Sequence, residues 1–116
     1  MRPHKKLEVW KKAIEFVTKI YKITESFPSD EKFGLISQIR RSAVSIPSNI
    51  SEGAARSGKK EFIQFLSIAQ GSTSELETQL IISNNLGFLR QENLYLLDEL
   101  DEISRMIIGL IRTLRK

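Results

Sequence analysis

The sequence predicts an all-α protein, an antiparallel up-down-up-down four-helix bundle with its second helix kinked at Pro47. Three observations carry that expectation. Apolar residues recur at steps of three and four through four separate segments, the period of a helix with one buried face. The joints between those segments are short, which forces successive helices to lie antiparallel. No stretch alternates apolar and polar residues as a half-buried strand does. The expected helices cover about 7–25, 30–56, 59–86 and 91–115, in one domain spanning 1–116.

In the first segment two apolar stripes run side by side. One is Leu7, Trp10, Ile14, Val17 and Tyr21; the other is Val9, Ala13, Phe16, Ile20 and Ile23. They merge into an arc of about 200°, with Lys11, Lys12, Glu15, Lys19 and Lys22 on the remainder. Phe27-Pro28 ends the helix, because a residue before proline avoids helical angles. Ser29 or Asp30 is the expected cap of the second helix, with Asp30 and Glu31 at its positive end.

That second segment carries Ile36, Ile39, Ala43, Ile46 and Ile50 on one stripe, with Pro47 inside it. A proline in a helix interior removes a donor and crowds the carbonyl four residues back, a cost of roughly 3 kcal/mol. Arg41, Ser45, Ser48 and Glu52 share the side roughly opposite the isoleucines, with Asn49 at its edge. Such a row is placed to satisfy the carbonyl freed by Pro47, to form helix or subunit contacts, or to bind a ligand; polar packing is the preferred reading. Arg41 and Glu52 suit charged hydrogen bonds across an interface.

Ser57-Gly58 makes the next joint, and Phe62, Leu66, Ala69, Thr73, Leu76 and Leu80 mark the third helix. Asn85 and Gly87 stop it, since glycine accepts the left-handed conformation at a helix end. The last segment presents Leu96, Leu97, Leu100, Ile103, Ile107, Leu110, Ile111 and Leu114. Its acids lie early and its arginines late, which complements the helix dipole, and Asp101 stands four residues before Arg105. The first and last helices have wider apolar arcs than a lone bundle needs, so self-association is expected.

Several chemistries are excluded or disfavoured. The 116 residues contain no cysteine, which removes disulfides, thiolate zinc sites and cysteine nucleophiles and fits a reducing compartment. The run from Met106 to Ile111 is the best apolar stretch and is far too short to span a bilayer; the start has no apolar signal segment. A cytoplasmic protein without membrane contact is therefore expected. The sole histidine, His4, lies at the chain start, so neither a Glu-x-x-His di-metal site nor a histidine-based triad is available. Glu75 and Glu77, two apart on a helix, point away from each other. Gly53 to Lys60 approaches a phosphate-binding loop, but Lys60 replaces the required hydroxyl and a helix, not a strand, precedes it. No enzyme, metal or cofactor is expected.

What remains is charge. The chain carries a net charge of +4, with cations grouped at the start, at the second joint and at the end. An antiparallel bundle gathers those three groups at one pole, so Lys5, Lys6, Lys59, Lys60, Arg112 and Arg115 are the candidate phosphate contacts for RNA or DNA. Few aromatics are expected to be exposed, so sequence-specific reading of single strands is not. The alternative is a protein-interaction scaffold whose partner covers the surplus apolar faces, without nucleic acid.

The segments QIRRSAVSIPSNISEG, EFIQFLSIAQGSTSELETQL and NNLGFL, with LEVWKKAIEFVTKIYKITESFP at the start, resemble the four helix bundle protein family. Its members are encoded, among other places, in intervening sequences of bacterial 23S ribosomal RNA genes, and the ribosomal-protein label they often carry reflects that location. Ser42 and Ser51 depart from its pattern, where alanine is commoner. The resemblance implies a left-handed bundle able to form a homopentamer, similar in fold to the nucleic-acid-binding accessory protein of diversity-generating retroelements. It implies no established activity. It marks Arg41, Ser45, Pro47, Asn49, Glu52, Gly53 and Glu75 as structural or interface positions.

Overall fold

A computed structural model describes residues 2–116. Four α-helices account for most of the chain: α1 (Glu8–Thr24), α2 (Leu35–Ala54), α3 (Lys59–Asn85) and α4 (Tyr95–Arg115). Short 3-10 turns precede α1, α2 and α4, and no strand occurs among the described residues. The body is elongated, 44 × 22 × 21 Å. None of the helices is long and apolar enough to cross a membrane.

The helical stripes become the core. On α2 the whole series Ile36, Ile39, Ala43, Ile46 and Ile50 is buried. It meets Phe16 and Ile20 of α1, Leu66, Ala69, Leu76 and Leu80 of α3, and Leu96, Leu100, Ile103 and Ile107 of α4. Phe27 and Leu89, from the two joints at one end, close the core there, and the Phe27 and Phe88 rings lie 5.9 Å apart. The two stripes of α1 have different fates. Val9, Ala13, Phe16 and Ile20 are buried, whereas Ile14 and Tyr21 on the other stripe are exposed.

Pairings between helices reveal their directions. Along α2 and α3, Ser42 meets Glu75, Ser45 meets Ser72, and Gly53 lies against Phe62 and Phe65, one number rising as the other falls. Lys12 and Lys19 of α1 pair with Glu102 and Glu99 of α4 in the same descending order. Arg40 reaches Thr24, while Trp10 shares a cleft with Ser51, so α1 and α2 also run oppositely.

Helix ends differ from expectation in two places. Helix α2 starts at Leu35, not near residue 30, because Ser29–Glu31 forms a separate 3-10 turn and Gly34 adopts a non-helical conformation. Neither Ser29 nor Asp30 caps it; Glu31 Oε1 accepts the Leu35 N–H at 3.3 Å. Likewise α4 starts at Tyr95 after a 3-10 turn at Gln91–Asn93. The end of α3 follows the expected chemistry. Gly87 has φ of +79°, Phe88 N–H donates to the Ser83 carbonyl and Gly87 N–H to that of Asn84, the two bonds of a Schellman stop.

Helix α2 remains one helix through Pro47, whose ring is buried. The Asn49 amide donates to the Ser45 carbonyl at 2.8 Å, so it does not serve Ala43, the carbonyl left without its proline partner.

The apolar surplus is also distributed differently from expectation. Helix α4 exposes only Tyr95 among its large apolar residues, because Leu97, Leu110 and Leu114 pack partly against the core. The excess sits on α1 at Ile14 and Tyr21, on α2 at Val44 and on α3 at Ile68, Ile81 and Ile82. Helix α3 has 27 residues against 20 in α2 and 21 in α4, and is the longest of the four.

Candidate functional site

The antiparallel registers decide which termini share an end. The start of α3 follows directly on the end of α2, and His4, before α1, lines a cleft with Ser48 and Ser51 near that same end of α2. Gln70 of α3 bonds Ser104 of α4, and Thr73 and Glu77 line a cleft with Leu100 and Asp101, so α4 descends as α3 rises. Lys5, Lys6, Lys59, Lys60, Arg112 and Arg115 therefore belong to one end of the bundle, and all six are exposed.

Five cations elsewhere on the helices are each matched to an acid. Lys11 pairs with Glu8 at 3.2 Å, Lys12 with Glu102 at 3.0 Å, Lys19 with Glu99 at 2.7 Å and Arg56 with Glu52 at 2.9 Å. Arg105 takes Asp101 at 3.3 Å, the pair expected from their spacing. None of the six at the cationic end forms an ion pair among the described residues. The acids nearest them are already engaged: Glu8 holds Lys11, and Glu52 and Glu61 flank Arg56. Unneutralised positive charge at the tip is the result.

Two carboxylates of α4 reach across to α1. Glu99 and Glu102 pair with Lys19 and Lys12 and form the outer, partly solvated seam between α4 and α1. The hydrogen bond to Glu99 is the main cause that raises the Lys19 pKa above its ordinary 10.5; desolvation opposes it, and the charges of Glu99, Tyr95 and Glu15 add smaller upward contributions.

The polar row of α2 does not act as one surface. Ser45 turns to α3, where its hydroxyl lies 2.8 Å from that of Ser72 and accepts from Asn49 Nδ2 at 2.9 Å. Ser48 borders the α1 cleft beside Pro47, and Glu52 bonds Arg56 of its own chain segment. Arg41 is exposed and makes no ion pair among the described residues. Glu75 accepts from Ser42 Oγ at 3.0 Å, which ties α3 to α2. Gly53 is buried where a Cβ would stand 2.7 Å from Phe65 Cβ and 3.0 Å from Phe62 Cδ1; only glycine lets α2 and α3 approach so closely there.

Arg40 is the residue that sequence reasoning missed. Its Nε donates to Thr24 Oγ1 at 2.9 Å and its Nη2 to the Tyr21 carbonyl at 3.1 Å, with the guanidinium 4.5 Å from the Tyr21 ring centre. A cation at the carboxyl end of α1 satisfies an orphan carbonyl and suits the helix dipole. Arg40 and Arg41 are adjacent, and only register against α1 distinguishes them. Among the described residues no group of three or more His, Cys, Asp or Glu side chains gathers as a metal site.

A crystal structure of a protein of unknown function from the S23 ribosomal protein family of Bacteroides thetaiotaomicron is similar to this chain. The two are 27% identical with a TM-score of 0.82, and the match covers 90% of this chain and 95% of that one. No curated protein matches the chain. Over residues 5–109 it matches the family described as 23S rRNA-intervening sequence protein, which spans the first three helices and most of the fourth. The helical stripes, the α2 segment around Pro47 and that near-complete match agree, and the chain belongs to the 23S rRNA-intervening sequence protein family.

Proposed function

We propose that this protein is a non-enzymatic, self-associating bundle of the cytoplasm that binds RNA or DNA through its cationic end, largely without sequence choice. One observation carries the reading. Lys5, Lys6, Lys59, Lys60, Arg112 and Arg115 are exposed without acid partners, while Lys11, Lys12, Lys19, Arg56 and Arg105 are each matched to one. Clustered free cations at a tip repel one another, and a phosphate backbone relieves that repulsion while releasing its own counterions. Self-association is supported by the exposed Ile14, Ile68, Ile81 and Ile82, and the family resemblance implies five subunits.

A salt titration of RNA binding tests the proposal. Affinity is expected to fall about a thousandfold between 50 and 200 mM salt, the behaviour of six or more phosphate contacts. Replacing both Lys59 and Lys60 with Glu should weaken binding at least about tenfold while light scattering gives the wild-type mass. Affinity indifferent to salt, or unaltered by the double replacement, would refute the reading. The exposed apolar side chains of α3 favour a second reading, a scaffold for another protein; a monomeric mass with no RNA bound is the result that selects it.

A further inference from the structure

At the other end of the bundle, where α1 finishes and α2 begins, an open hollow of about 400 Å³ is lined by Tyr21, Lys32, Phe33, Ile36, Ser37, Arg40 and Arg41. Phe33 is 91% exposed and Tyr21 40% exposed. Such exposure leaves the Phe33 ring with almost no packing task inside the monomer. Lys32 Nζ lies 5.6 Å from the centre of that ring. Arg40 is held beside Tyr21 by its bonds to Thr24 and to the Tyr21 carbonyl, with its guanidinium carbon 4.5 Å from the Tyr21 ring centre. Arg41 stands beside it without an acid partner among the described residues. No carboxylate lines the hollow; Glu31, close by in sequence, turns its oxygen to the Leu35 N–H.

We propose that this hollow takes an unpaired nucleobase, stacked on Phe33 and the Arg40–Tyr21 pair, with its phosphate held by Arg41 and Lys32. Every base offers a flat π face, so aromatic rings and guanidinium planes accept bases without sequence choice, and cations beside them hold the backbone. A duplex keeps its bases paired and cannot use the site. The shape also disfavours a peptide anchor. Energetic side chains at protein interfaces fill enclosed, desolvated pockets, whereas this hollow is open to solvent, and Ile36 is its only aliphatic wall. The inference does not depend on the cationic end, which lies at the opposite extremity of a body 44 Å long.

The experiment measures binding of the full chain to a fluorescent oligo(U) 12-mer and to a hairpin duplex of equal charge, with AMP as competitor. Phe33→Ala and Arg41→Glu should each weaken oligo(U) binding about tenfold and leave duplex binding unaltered, and Phe33→Trp should retain it. Competition by millimolar AMP identifies a free nucleotide as sufficient; oligo(U) binding lost in Phe33→Ala but indifferent to AMP identifies the strand. Wild-type oligo(U) affinity in both Phe33→Ala and Arg41→Glu overturns the inference, as does equal loss for duplex and single strand. Replacing Lys59 and Lys60 with Glu separates the two sites. If that change abolishes duplex binding while Phe33→Ala alters nothing, the cationic end stands and the hollow falls.

Discussion

The seam between α2 and α3 and the seam between α1 and α4 solve one packing problem with opposite chemistry. Along α2 and α3 the contacts are small: Gly53 against Phe62 and Phe65, Ser45 against Ser72, Ser42 reaching Glu75. Along α1 and α4 they are long and charged, Lys12 to Glu102 and Lys19 to Glu99, over side chains 35–48% exposed. Interaxial distance follows the side chains at the contact. Short ones bring backbones together and leave no slack; long ones span an outer groove and can swing aside. The first seam should therefore be intolerant of added volume, and the second tolerant of substitution but sensitive to solvent conditions.

The largest effect should come from adding atoms at Gly53. A Cβ there meets Phe65 Cβ at 2.7 Å, an atom fixed to the α3 backbone that no rotamer change can withdraw. Gly53→Leu is expected to destabilise by about 3 kcal/mol, and Gly53→Ala by about 1–2 kcal/mol after the usual helix gain of about 1 kcal/mol is subtracted. Urea denaturation gives the value as a lowered midpoint with unchanged slope. Gly71 of α3 and Gly109 of α4 are internal controls, because nothing lies within 4 Å of a Cβ at either position. Alanine at those sites should stabilise by about 1 kcal/mol. If Gly53→Ala stabilised as they do, the tight seam would not be governed by approach distance.

A smaller effect is expected at Ser45 and Ser72. Their hydroxyls are 2.8 Å apart, yet each keeps another local partner, Asn49 for Ser45 and the Ile68 carbonyl for Ser72. A double-mutant cycle with alanine should give a coupling of about 0.5–1 kcal/mol. Zero coupling would mean the two helices meet without using the bond.

The charged seam should respond least to mutation and most to pH and salt. Half-exposed pairs contribute little and are screened. Lys19 has a folded-state pKa above its unfolded value of 10.5, chiefly through the Glu99 hydrogen bond. Its contribution is therefore complete below pH 10.5 and is lost as pH rises through the elevated value. The stability difference between wild type and Lys19→Met should be constant from about pH 7 to 10, vanish at higher pH, and shrink in about 1 M salt. A difference that persisted unaltered beyond that range would assign Lys19 a packing role through its methylene stem.

Legibility in the sequence tracked the range of the interaction. The isoleucine stripe of α2 and the Gly87 stop of α3 depend on residues within a few positions, and both were readable. The common end of the Lys5, Lys59 and Arg112 groups needed only helix count and short joints. Contacts across helices were not readable. Lys19 and Glu99 lie 80 residues apart, and nothing local distinguishes Glu99 from Asp98 as the partner of α1. The exposure of Phe33 was hidden for a related reason: the extension of a helix from residue 30 placed it inside α2, whereas Gly34 and the 3-10 turn leave it on the connecting loop.

By itself the sequence determined that this chain is helical and where its isoleucine core runs, because periodicity and turn chemistry act locally along the chain. Only the tertiary structure decided that Arg40 and not Arg41 is engaged, that Gly53 admits no side chain, and that an aromatic, cationic hollow stands opposite the lysine-rich tip. Those outcomes depend on the axial register of one helix against its neighbour, and a shift of a single residue turns a side chain about 100° around its axis.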